Sequence, residues 1–99
     1  GKSVAYSCDT EPCPPLVPLS RGVDVLLHEA SGPSQGHSSA AQAGEVARAA
    51  GVKTLYLIHY PTGRFASGDL VGEAGQNFAG EIHLATDFLT IDLEMADPA

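Results

Sequence analysis

Bases are scarce in this chain: five Lys and Arg stand against twelve Asp and Glu among 99 residues, a net charge of −7. That balance argues against a broad nucleic-acid footprint on this segment, which would need a basic stripe, although a further segment could supply one. No basic run marks a membrane-surface face, and no apolar run approaches the ~20 residues of a bilayer-spanning helix. Cysteine is nearly missing too. Cys8 and Cys13 are too few and too close for a secreted disulfide scaffold, and a single Cys-x4-Cys pair is a weak metal signal. Two thiols in a reducing, cytoplasmic setting are the expectation. The opening "GKSVAYSCDT" has no signal-like leader and reads as a strand already under way. There is no internal repeat and no low-complexity linker. A chain this short makes at most one small domain and buries about two-thirds of its surface.

What the chain does have is a regular alternation. Residues 3–8, "SVAYSC", set Val4, Tyr6 and Cys8 on one side, the period of a strand. A turn-rich "DTEPCPP" leads to a short helical turn near Leu16–Ser20, against the resistance of Pro18, and "VDVLLH" reads as a buried strand. The helix over 39–50 carries the clearest signals. Ser39 and Gln42 form a capping box, Ala40, Ala43, Ala47 and Ala50 line one face, and Gly51 supplies the stop. "KTLYLIHY" is the next buried strand, "PTGRFASG" a loop. Leu70, Val71, Ala74 and Phe78 then repeat at helical spacing over 69–78, with Gly80 ending that helix. "EIHLATD" and "FLTIDLE" close the chain as a pair of short strands around a turn near Asp87, and the tail "MADPA" is expected to fray. The fold class is α/β, with strands alternating with helices and neighbouring strands parallel.

In a parallel sheet the carboxyl ends of the strands share one edge, and ligands collect there. Asp9, Glu29 and His59 each fall at such an end, and His37 lies on the loop that leaves the same edge. Three of them have plainer uses. Asp9 suits a turn before a proline-rich stretch, His59 a strand end with its ring bonded to carbonyls or water, and His37 a loop beside a helix N-terminus. Glu29 resists such a reading. Alternation puts it on the face of Val23, Val25 and Leu27, where a carboxylate costs free energy unless paired. Taken together, a carboxylate and an imidazole from two strand ends are suitable ligands for zinc or manganese. A Glu–His couple alongside suits proton transfer. Asp9 and His59 are only two ligands, and a catalytic zinc generally takes three from the protein. No His-x-His cluster completes the set. His28 faces away from Glu29 and His83 falls in the closing strand pair. The site reads as half of one.

The ordered set "YSCDTEP", "VDVLLHEA", "GHSSAAQAGEVARAAGVKTLYLIHY" and "AGEIHLATDFLTIDL" resembles the C-terminal half of a metallo-β-lactamase-fold hydrolase. Within that superfamily it is most similar to the ribonuclease Z-like branch, over essentially all 99 residues. The resemblance implies that the chain is a single segment, 1–99, one half of a four-layer αββα sandwich. The other half, with a His-x-His-x-Asp-His cluster and a further histidine, would come from the same protein or a second chain. It implies two divalent metal ions, zinc or alternatively manganese. Asp9 matches the carboxylate that bridges them and His59 the last histidine ligand. Glu29 and His37 match the acid–histidine pair that hands a proton to the leaving group. The implied reaction is hydrolysis of a phosphodiester by a metal-bound hydroxide, on a small ester or on RNA, in a homo-oligomer that does not enter a membrane. The isolated segment is expected to be inactive. Two departures stand out. Cys8 occupies the place before the bridging acid where the family usually has Gly. The loop "HYPTGRF" replaces a shorter serine–arginine version and leaves Arg64 as a candidate phosphate contact.

The alternative, of a different class, draws on the missing ligands: a non-catalytic α/β module for binding or assembly. That reading expects a chain that folds alone, binds no metal and shows no hydrolysis when joined to any partner half.

Overall fold

The computed structural model describes residues 1–66 and 68–94; the expected fraying of the tail concerns residues 95–99, which lie outside them. The element order is β1 (Val4–Tyr6), α1 (Leu16–Ser20), β2 (Val25–Glu29), α2 (Ala40–Ala50), β3 (Thr54–Ile58), a 3₁₀ turn (Gly63–Phe65), α3 (Leu70–Gly75) and β4 (Glu81–Leu84). All three strand pairings are parallel. The sheet order β1-β2-β3-β4 is the order of the sequence, so every strand returns to the same edge through a helical connection. Among the described residues no helix is long and apolar enough to cross a membrane.

Register divides the side chains into two faces. Ala5, Leu26, Leu55 and Leu57 share one side. They pack in a single core with Leu16 of α1, Ala40, Ala43, Val46, Ala47 and Ala50 of α2, and Ala74 of α3. The alanine stripe explains the closeness of that layer, because a methyl group holds a helix nearer the sheet than a branched side chain would. Gly44 goes further: a Cβ there would collide with the carbonyl of Ala74, so its absence sets how near α2 and α3 lie. The opposite face is only partly covered. Val4 and Tyr6 are 47% and 57% exposed, and Leu27, Tyr56 and Ile58 beyond them are intermediate or half-buried.

The capping signals of α2 are realised. Ser39 Oγ accepts from the Gln42 N–H, and Gln42 Oε1 accepts from the Ser39 N–H. Gly51 takes the left-handed conformation at the other end, φ 67°. Three expectations need correction. The helix over 69–78 ends at Gly75, because Gly72 and Gly75 weaken it; Phe78 still reaches the core beyond its end. "FLTIDLE" makes no second strand. Phe88 has φ 64°, and the Asp92 carboxylate accepts from the Glu94 N–H, a local turn that competes with a ladder. His83 therefore lies not in a strand pair of that kind but on β4, paired in parallel with β3 and facing Tyr56.

Candidate active site

The carboxyl edge of the sheet is where the backbone departs from regular structure. β1 stops at Tyr6, and Cys8 adopts φ 57° immediately before Asp9; past the end of β3, His59 adopts φ 54°. Left-handed geometry is uncommon for side-chain-bearing residues and tends to gather where a protein needs a group in one particular place. Between these two tips β2 delivers Glu29, and the 30–38 loop brings His37 back over it.

Glu29 is fully buried, and its carboxylate is surrounded by donors. Oε1 accepts from the Ser38 N–H. Oε2 takes the Ser31 hydroxyl at 2.7 Å and His37 Nδ1 at 3.0 Å. Burial alone would raise the carboxyl's proton affinity, but the bonds from Ser31, His37 and Ser38 and the nearby imidazole outweigh it. They hold Glu29 below the usual carboxylate range. The backbone of Glu29 is fixed as well: its N–H donates to Ser7 Oγ at 3.0 Å, and its carbonyl lies 2.8 Å from His28 Nδ1.

Asp9 and His59 stand beside this pair and are more than half exposed, with Asp9 Oδ1 3.8 Å from His59 Nδ1. The rings of His37 and His59 lie nearly parallel, 12° apart in plane and 6.1 Å between centroids. Ligand atoms of Asp9, Glu29 and His37 all fall within 4.8 Å of one another. Asp9 thus lies close both to His59 and to the Glu29–His37 pair. Carboxylate oxygen with imidazole nitrogen is a donor set that suits a divalent zinc or manganese ion, so the residues present fit such a group. An open cleft of about 300 Å³ adjoins them, lined by Ser31, His59, Tyr60 and Pro61.

The four residues singled out at strand ends and loop are therefore brought together. Arg64 is not among them. It lies in the 3₁₀ turn with its guanidinium 5.2 Å from the Phe65 ring centre, and among the described residues it makes no hydrogen bond or ion pair with the other four. Sequence reasoning missed the serines. Ser31 reaches both Glu29 and the His59 carbonyl, and Ser38 Oγ donates to the Thr10 carbonyl at 2.5 Å. Small polar residues in a loop carry no periodic signal, and only their adjacency to Glu29 and His37 hinted at them. His28, set aside for facing the other way, does lie on the helix side. It is fully buried there, with Nε2 unpartnered among the described residues. Burial pushes its proton affinity down, so the ring is neutral and its Nδ1–H donates to the Glu29 carbonyl.

Residues 1–60 match the family described as the Beta-lactamase superfamily domain. The chain is 35% identical over 105 residues to a ribonuclease Z from Methanothermobacter thermautotrophicus, covering 98% of this chain and 34% of that protein. It is 41% identical over 102 residues to an uncharacterized protein of Mycobacterium tuberculosis, covering 97% and 37%. Its fold superposes on YhfI from Bacillus subtilis, a metallo-beta-lactamase fold protein, with a TM-score of 0.77 at 33% identity, covering 85% of this chain and 37% of that one. The chain spans about a third of the length of each of these relatives. Parallel strands, the edge they share and these likenesses converge: the chain belongs to the metallo-β-lactamase superfamily, as a ribonuclease Z-like segment.

Proposed function

We propose that this chain is the C-terminal half of a metal-dependent phosphodiesterase, with RNA or a small phosphodiester as substrate. The observation that carries this reading is the pairing of Asp9 and His59 at 3.8 Å beside the buried Glu29–His37 couple. In the complete site Asp9 and His59 would hold zinc or manganese together with ligands from the other half; bound there, the metal would polarise the ester and activate water. The remaining work falls to this chain's own groups. Glu29 fixes His37 through Nδ1, which leaves Nε2 to carry the proton that the departing oxygen needs. An imidazole so placed can give and regain that proton within a turnover, an effect worth about 10²–10⁴-fold. Arg64 is proposed as a phosphate contact from the turn beyond the cleft. The N-terminal half would cover the open sheet face, and the 99-residue segment alone would be inactive. Two exposed, free thiols, Cys8 and Cys13, support a reducing, cytoplasmic setting.

The test is metal content and phosphodiester hydrolysis measured on a protein that joins this chain to a half carrying the His-x-His-x-Asp-His ligands. Two divalent ions per chain are expected, with binding and turnover both lost in Asp9→Ala. Full occupancy in that variant would overturn the assignment. Absence of hydrolysis with the complementary half would return the chain to the class of binding modules.

A further inference from the structure

We infer that Ser31 is a positioning residue for proton delivery, joining the general-acid pair to the strand tip that carries His59. The inference rests on the role proposed above for Glu29 and His37. Its basis is one hydroxyl with two acceptors from distant parts of the chain. Ser31 Oγ lies 2.7 Å from Glu29 Oε2 and 3.0 Å from the carbonyl of His59, 28 residues away. A serine carries a single donor proton, so the two acceptors share it and the hydroxyl bridges them.

Three consequences follow from that position. Glu29 Oε2 is the oxygen that also takes His37 Nδ1, so Ser31 fixes the rotation of the carboxylate that in turn fixes the imidazole. The second acceptor, the His59 carbonyl, belongs to a residue in the left-handed region, φ 54°, and anchors the hydroxyl between the two strand tips. Ser31 also lines the cleft beside His59, Tyr60 and Pro61, so its loss would let water reach the Glu29 oxygen that it now occupies. Ser38, by contrast, holds Oε1 through its backbone N–H, a bond that Ser38→Ala would leave in place.

The experiment uses the joined, metal-loaded protein and two phosphodiesters that differ in leaving group. Bis(4-nitrophenyl) phosphate expels a stable phenolate and needs little proton delivery. A dinucleoside phosphate expels an alkoxide that needs it. Ser31→Ala is expected to lower kcat on the dinucleoside phosphate roughly 10- to 100-fold, with KM, metal content and turnover of the nitrophenyl ester little changed. Ser31→Cys, which keeps the shape but offers a weak donor, should give the same selective loss, and Ser31→Thr should restore the rate. Glu29→Gln is measured alongside. If Glu29→Gln shows the leaving-group selectivity and Ser31→Ala slows both esters equally or neither, the role of Ser31 is overturned while the reading of the site survives. If Glu29→Gln itself shows no selectivity, proton delivery by this pair is wrong and the role of Ser31 falls with it.

Discussion

At the scale of the residue, the carboxyl edge keeps groups that a stable fold alone would not choose. Cys8 sits at φ 57° where L-residues with a Cβ incur about 1–2 kcal/mol. Glycine removes that strain but adds about 0.4–1 kcal/mol of chain freedom to the unfolded state. Strain is the larger effect, so Cys8→Gly should raise stability modestly, read as a higher midpoint in urea. A lower midpoint would mean that the thiol packs usefully. His59 has the same backbone geometry, yet glycine there would remove the imidazole as well as the strain. This contrast marks what a sequence can disclose. Asp9, Glu29, His37 and His59 were legible because their chemistry is conspicuous at strand tips. The left-handed turns before Asp9 and at His59 were not, because neither residue type announces positive φ. Ser31 and Ser38 were invisible for a related reason: their value lies in which distant carbonyl or carboxylate each one reaches.

At the scale of the element, the two ends of the strands are built from different interactions. The amino edge is tied by Asp24, whose carboxylate accepts from the Ser3 N–H at 2.8 Å and lies 3.1 Å from Lys53 Nζ, linking β1, β2 and the approach to β3. The Ser3 backbone bond, with help from Lys53, holds the Asp24 carboxyl below its ordinary 3.8. A folded value below the unfolded one means that this stabilisation is complete above about pH 4–5 and disappears as pH falls from 3.8 through the folded value. The melting-temperature difference between wild type and Asp24→Asn should therefore be constant near neutrality and shrink in acid; a difference independent of pH would discount the tie. Between helices, Gly44 fixes the approach of α2 to α3, a contact reinforced where Glu73 Oε2 accepts from the Ala41 N–H and Asn77 Nδ2 donates to the Ala41 carbonyl. Gly44→Ala gains helix propensity but must push Ala74 away, and overpacking typically costs about 1–3 kcal/mol. Net destabilisation in urea is expected. The cap, the alanine stripe and the stop of α2 could all be read in advance because they are local. The Gly44 contact depends on a helix 30 residues further on, and the missing partner of β4 on a turn that competes with pairing.

At the scale of the whole molecule, one face of the sheet carries a packed helical layer and the other leaves Val4 and Tyr6 largely in solvent. Near-continuous apolar runs in β2 and β3 put apolar residues on both faces of the sheet, but which face lacks a cover depends on where the helices settle. If the missing half seats there, Val4→Lys should weaken assembly of separately expressed halves roughly tenfold or more, since a charge would be buried without a partner. Size-exclusion and titration of one half with the other measure this, and unaltered assembly would place the contact elsewhere. Strand order has a last consequence. Because the sheet is laid down in the order in which it is encoded, the tips of its first three members supply Asp9, Glu29 and His59, and the fourth supplies none of the gathered groups. Among the described residues, 81–94 thus supply none of the gathered groups, while the Tyr60 hydroxyl next to His59 donates to the Ala85 carbonyl. Substitutions in that last stretch are therefore expected to leave the four gathered groups in their places.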